Sequence, residues 1–212
     1  MGTRNLTLVK SNGEYKVAQY GQWDGYPSGQ GFMVVNFLNK PGLDIELFKN
    51  KVGNITHWGE NELEELNNKI DNGNYSDWKV KHPELSRDLG AEVLYSIYDG
   101  KITKANLMVG FASDSLFCEW AWSINLDTNC LDCFKGFQIE PLTENQPFYY
   151  LQNKMTEKDK YYPIKLICSI PFDELSKFIT QYDFENYIDN IIKMGDKLIM
   201  DNGIPVLWEE NI

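Results

Sequence analysis

The chain has 212 residues, of which 42% are hydrophobic, 14% aromatic and 24% charged, and this composition excludes a disordered tail, a collagen-like repeat and a disulfide mini-protein. At this length a single α+β domain over residues 1–212 buries roughly 70% of the surface of the unfolded chain. A net charge of −11 and a pI of about 4.7 exclude a bulk basic footprint for duplex nucleic acid and give a surface that repels anionic membranes.

Behind Met1 there is no apolar stretch after a basic segment, and no run approaches the roughly eighteen apolar residues of a membrane span. The expectation is a cytoplasmic protein with no membrane partner. Leu6 stands where a myristoylation signal has Ser or Thr, so Gly2 is expected to carry a plain amine once Met1 is removed. Residues 6–9 and 15–20 alternate with period two and read as strands, joined by a hairpin at Ser11-Asn12-Gly13. A polar, glycine-rich stretch at 21–31 leads into an apolar helix over about 30–38, which Pro41-Gly42 stops. Residues 43–52 read as a helix with Leu43, Leu47 and Phe48 on one face. Residues 61–70 read as another, with Leu63, Leu66 and Ile70 inward, and 71–82 as a surface loop pinned by Tyr75 and Trp78.

Pro83 opens a helix in which Leu85, Leu89, Val93 and Ile97 recur every four residues until Asp99-Gly100. Residues 116–126 alternate as a strand, with Cys118, Trp120, Trp122 and Ile124 on one side and Phe117, Glu119, Ala121 and Ser123 on the other. Asp127-Thr128-Asn129 turns the chain into a partner strand at 131–137, and 164–170 is a further strand. Phe172-Asp173-Glu174 opens a helical region reaching about Met194, with Leu175, Phe178, Ile179 and Tyr182 at helical spacing and Ile188, Ile191 and Ile192 after a break. Residues 198–208 form a short hairpin or lie against the body. The elements add up to an α+β fold: antiparallel sheet with helices packed on it.

The densest chemistry lies at 20–31, Tyr-Gly-Gln-Trp-Asp-Gly-Tyr-Pro-Ser-Gly-Gln-Gly. Gly21, Gly25, Gly29 and Gly31 permit close backbone approach. With Ser28 as N-cap, the amides of Ser28, Gly29 and Gly31 would face outward at the positive end of a helix, an anion site for phosphate or carboxylate. Trp23 and Tyr26 offer stacking faces for a planar ring, and Asp24 offers an acceptor or a general base. The plainer reading is a connector whose glycines fit a tight approach and whose aromatics cap the core. No Gly-Lys-Ser/Thr ends the stretch, so it is not a P-loop.

Arg4 and Arg87 are the chain's only arginines. They serve either as structural partners of Asp24, Asp88 or Glu119, or as a clamp on a carboxylate or phosphate of a small ligand. Ser115 lacks the Gly-x-Ser-x-Gly setting of an α/β-hydrolase nucleophile. Glu119 and Asp24 would make an acid/base pair if brought together, while Trp120 and Trp122 share a face and fill the core. Cys130 and Cys133 stand three apart on a strand and so face opposite sides. With Cys118 and Cys168 they are expected to be reduced and structural. His57 and His82 are not at ligand spacing, so no metal and no cofactor is expected.

Four strings carry a resemblance: Met-Gly-Thr-Arg-Asn-Leu-Thr at 1–7, the whole of 20–31, Leu-Ser-Arg-Asp-Leu-Gly at 85–90 and Asp-Ser-Leu-Phe-Cys-Glu-Trp at 114–120. Together they resemble a family of uncharacterised proteins from bacteria, phages and fungi. That family implies no activity, but a phage-encoded member would suit the sequestering of a defence signal. The chain is also similar, more faintly, to N-terminal-nucleophile hydrolases of the bile-acid amidase type. These begin at residue 2, run into a hairpin and place an acid after the second strand, where Asp24 stands. That likeness implies a layered α+β fold. Gly2, however, stands where those enzymes have Cys, Ser or Thr, and Thr3 could replace it only if Gly2 were removed, so the likeness implies layers without the chemistry.

Three functions follow as expectations. The first is a small-molecule-binding protein for an anionic or planar, nucleotide-like ligand, using Arg4, Trp23, Asp24, Tyr26, Ser28, Gly29, Gly31 and Arg87. The second is an amide or phosphoester hydrolase using Asp24 and Glu119. The third is an acidic module that docks a basic protein partner.

Overall fold

Asn12 and Gly13 adopt φ of 55° and 78°, the left-handed pair that a two-residue hairpin needs. The turn folds β1 (Asn5–Ser11) onto β2 (Glu14–Gly21). The computed structural model describes residues 2–71, 81–156 and 160–194, together with the short ladder of 200–201 and 204–205. Past β2 the chain turns tightly over Pro27–Gly31 and enters α1 (Phe32–Leu38). α2 (Ile45–Gly53) starts at Asp44, whose carboxylate accepts the Leu47 amide at 2.9 Å as an N-cap. β3 (Thr56–His57), α3 (Glu60–Asp71), α4 (Glu92–Tyr98) and β4 (Lys104–Ala105) follow, with β3 and β4 paired in parallel. β5 (Trp120–Asn125) and β6 (Cys130–Lys135) form a second hairpin, and β7 (Lys165–Pro171) leads to α5 (Gln181–Met194). β8 (Met200–Asp201) and β9 (Ile204–Pro205) pair antiparallel at the end.

The main sheet has five strands in the order β2-β1-β5-β6-β7. β1 and β5 run parallel, and the other neighbours antiparallel. The fold is therefore mixed α+β with a mostly antiparallel sheet. Period-two alternation sorts the side chains onto two faces. On one face Val9, Val17, Trp122, Ile124, Leu131, Cys133 and Ile170 pack under apolar residues of α1, α2, α4 and α5. Trp120 and Trp122 stack there, ring centres 5.3 Å apart and planes within 9°. On the other face Leu6, Leu8, Ala18, Ala121 and Phe134 form a second core with Ala112, Cys118, Leu142, Phe148, Leu151 and Ile164. Both faces are covered, which is why β5 is buried at every position.

Three elements differ from their sequence pattern, each for a local reason. The helix expected from Pro83 to Gly100 is broken: Pro83–Leu85 is one 3₁₀ turn, Gly90 has φ of 50°, and α4 starts only at Glu92. β5 starts at Trp120 because the amides of Phe117 and Cys118 bond the Asp114 carbonyl at 3.0 and 2.7 Å and wind a turn there. Cys118 accordingly joins the second core, not the Trp120–Trp122 face. The C-terminal helical region breaks between the 3₁₀ turn Phe172–Lys177 and α5. Thr180 and Asp183 bond each other's amides through their side chains, at 3.3 and 2.8 Å, and this capping box restarts the helix in a new phase. Phe184, Ile188 and Ile191 turn inward, while Ile179 is 83% exposed and Tyr182 faces out with it. Leu47 likewise lies on the outer side of α2. Leu63 and Leu66 are half-buried. The expectations for Tyr75, Trp78 and the side chain of Ile70 fall outside the described residues.

Candidate ligand site at one end of the sheet

The stretch after β2 is held by the strand ends beneath it. Asn5 is fully buried, and its carboxamide donates to the carbonyls of Gly21 and Trp23 at 3.2 and 3.3 Å. The Gly25 amide bonds the Thr3 carbonyl at 3.0 Å, and the Trp122 indole donates to the Gly25 carbonyl at 3.1 Å. Asp24 takes φ of 53°, which aims its carbonyl at the Gln30 amide, 2.7 Å away. These bonds answer a buried backbone's need for partners.

They also correct the expected anion site. The amides of Gly29 and Gly31 bond the Tyr26 carbonyl at 3.0 and 3.2 Å, so they are spent inside the turn and do not face outward. Ser28 is not the N-cap. Tyr26 holds that place without a side-chain bond, and the Ser28 hydroxyl donates to Glu185 on α5 at 2.7 Å. The glycines answer to packing. A Cβ at Gly29 would lie 2.2 Å from the Asp24 carbonyl oxygen, and one at Gly31 would lie 2.8 Å from the Trp122 ring.

The segments at 20–31 and 85–90 meet. The Gln22 amide donates to the Arg87 carbonyl at 2.8 Å and the Gln19 carboxamide to the Ser86 carbonyl at 3.1 Å. The Trp23 indole donates to Asp88 at 3.0 Å, and the Gln30 carboxamide accepts the Ala91 amide at 2.7 Å. Trp23 and Tyr26 remain 46% and 49% exposed. The ring of Trp23 lies on Gly2, where a Cβ would come within 2.3 Å of it and within 2.5 Å of the Gln22 carbonyl. Position 2 therefore has no room for a nucleophilic side chain while Trp23 stays in place, and Thr3 is buried with its carbonyl on Gly25.

Both arginines come to this end of the sheet. Arg87 is exposed, with its Nε 4.0 Å from the Asp88 carboxylate. The Arg4 guanidinium lies 4.2 Å above the Phe117 ring, a cation–π contact. Its buried Nε has no hydrogen-bond partner among the described residues. Burial pushes the Tyr20 phenol up, while the charges of Arg4 and Arg87 both pull it down, so the two guanidinium groups act on one side chain. The Tyr20 hydroxyl donates to Gln22 at 2.6 Å. Beside it a cavity of about 50 Å³ is lined in part by Tyr20, Glu84, Arg87 and Asn106. Lys135 lies 3.9 Å above Trp120 at the same end, its ammonium pushed down by burial and partly restored by Glu119 and Asp189.

The two carboxylates expected as an acid/base pair have separate duties. Glu119 accepts the Arg4 amide at 3.3 Å, and Asp24 shapes the turn through its backbone. Neither has a hydrogen bond to the other among the described residues. Tyr20, Gln22 and Phe117 were not singled out by the sequence as site residues, and Asp88 only as a partner for an arginine. All four lie inside the strings that were singled out, and only the register of the folded strands reveals which of their neighbours face the arginines.

Cys133 and Cys168 face each other across β6 and β7, and all four cysteines are free thiols. Among the described residues no group of three or more His, Cys, Asp or Glu side chains could hold a metal ion, and no helix is long and apolar enough to cross a membrane. Comparison with family models, with curated proteins and with solved structures gives no match to this chain.

Proposed function

We propose that the protein binds a small anionic ligand carrying a planar group, of the mononucleotide kind, at the sheet end framed by Arg4, Trp23 and Arg87. One observation carries the reading: in a protein whose net charge is −11, exposed Arg87 lines a cavity with Tyr20, and the neighbouring Asp88 holds the half-exposed Trp23 indole at 3.0 Å. Guanidinium groups bind phosphate or carboxylate in bidentate fashion, and an indole face stacks on a base. The reading keeps Arg4, Trp23, Tyr26, Asp24 and Arg87 at the site. It removes the amides of Gly29 and Gly31, and the side chain of Ser28, from ligand contact. Binding without turnover in a reducing cytoplasm would suit the sequestering role that the family resemblance suggests.

Calorimetric titration with the four 5′-mononucleotides tests it. Arg87→Ala and Trp23→Ala are each expected to weaken the best-bound nucleotide at least tenfold, about 1.4 kcal/mol, with the melting temperature preserved. Undiminished affinity in both variants, or no binding of any nucleotide, overturns the reading. Hydrolysis of the bound nucleotide that Asp24→Asn abolishes would replace binding with catalysis.

A further inference from the structure

A larger cavity, of about 490 Å³, lies between the 3₁₀ segments Val109–Ser113 and Tyr149–Lys154, and neither arginine lines it. Its size falls within the usual range for small-molecule sites. Leu116, Leu151 and Met155 give it apolar walls, and Lys154 and Lys160 bring two ammonium groups to it. Among the described residues, Asp114 is the acid that lines the cavity with the two lysines.

The walls are fixed by bonds unrelated to any ligand. The Ala112 carbonyl accepts the Ile164 amide at 3.0 Å, and the Ser115 carbonyl and hydroxyl accept the amides of Phe137 and Gln138 at 2.7 and 3.0 Å. Across the cavity the Gln152 carboxamide bonds both the amide and the carbonyl of Leu142, at 3.0 and 3.3 Å, which pins the turn that carries Leu151 and Lys154. Leu151 is itself part of the second core. Asp114 turns its carbonyl to the amides of Phe117 and Cys118. Among the described residues, neither lysine ammonium has an ion-pair or hydrogen-bond partner. Two ammonium groups with no partner among the described residues, beside apolar Leu116, Leu151 and Met155, match a ligand with an anionic head and an apolar body.

The geometry points to a second ligand site here, for a small amphiphilic anion: a carboxylate, sulfonate or phosphate monoester on an apolar ring or chain. The lysines meet the head, and Leu116, Leu151 and Met155 take the body. Tyr161 also lines the cavity. The site is independent of the arginine site, and either can fail without the other.

The probes are two dyes of similar apolar shape: 8-anilinonaphthalene-1-sulfonate, which is anionic, and N-phenyl-1-naphthylamine, which is neutral. Both are titrated by fluorescence into the full chain. The sulfonate dye is expected to bind saturably, more weakly as salt rises. The double variant Lys154→Met/Lys160→Met keeps the apolar stems. It is expected to weaken the sulfonate dye at least tenfold and leave the neutral dye unchanged. Lys154→Arg/Lys160→Arg is expected to retain both. Leu116→Asp, at an exposed position that should not disturb folding, is expected to weaken both. Arg87→Ala is expected to alter neither, which separates this site from the first. The proposal is overturned if the sulfonate dye does not saturate, if the methionine pair leaves its affinity intact, or if Arg87→Ala removes it.

Discussion

Asp132 is the buried carboxylate of the sheet. Its two oxygens accept from Asn125 at 2.9 Å and Ser169 at 2.6 Å. Burial still pushes its carboxyl above the ordinary range, against those two bonds and the charge of Lys10. A group whose folded value is raised holds its proton more tightly in the native state. Its contribution to stability is therefore complete below the unfolded value and is lost as pH rises through the folded one. Asp132→Asn cannot ionise. The melting temperature of the variant relative to the parent is expected to climb as pH rises from about 4, the ordinary carboxylate range, and then to level off. Thermal scans across pH measure it, and a difference that stays flat or falls would show that Asp132 is fully compensated as an anion. The same carboxylate, with Tyr150, adds to the burial that pushes the Tyr15 phenol far up.

At the scale of elements, the tight turn Pro27–Gly31 is the joint between the sheet, α1 and α5. Its last residue fits against Trp122 and Phe184, where a Cβ would stand 2.8 and 3.0 Å from the two rings. Those rings are buried on every side, so they have little room to retreat. Gly31→Ala is expected to destabilise the protein by about 1–3 kcal/mol, as overpacking does, measured by urea unfolding. Unchanged stability would mean that the joint gives way more easily than the packing suggests. The pattern of apolar residues was enough to read both hairpins, α1, α2 and α3, because each rests on a local period or turn. Gly90 was not legible as a break, because the four-residue repeat of Leu85, Leu89, Val93 and Ile97 runs straight through it. What fixes the break is Gln30, whose side chain would collide with any Cβ at Gly90 and bonds the next amide instead. Ser28 shows the same limit from the other side. Its position suited a cap, but it finds its partner 157 residues away on α5.

For the whole molecule, charge is distributed against its own average. The chain carries −11, yet Arg4, Arg87 and Lys135 gather at one end of the sheet, with Asp88 and Glu119 as the acids in contact with the arginines there. An approaching anion would meet general repulsion and the attraction of these three cations, and salt screens both over about 10 Å at 0.1 M. Contact attraction at short range should dominate the bound state. Raising sodium chloride from about 50 to about 500 mM is expected to weaken mononucleotide binding several-fold, read by the same calorimetry. Binding that strengthens with salt would mean that the overall negative field prevails over these cations. The sequence named both arginines and Trp23, but not that they share an end of the fold. The β1–β2 hairpin brings Arg4 and Trp23 to the same end, but Arg87 arrives through bonds from Gln19 and Gln22 to the carbonyls of Ser86 and Arg87, and no local period encodes those.

The glycine beneath Trp23 bears on the thermodynamics of that site. An exposed tryptophan ordinarily samples several orientations and must give them up when something stacks on it. Here the indole packs against Gly2, with its nitrogen tied to Asp88. The freedom that binding would otherwise remove, about 0.5–1.5 kcal/mol for an immobilised side chain, has already been surrendered during folding. A stacking ligand of the proposed kind would meet a surface set in advance, and its contact enthalpy would carry little entropic deduction.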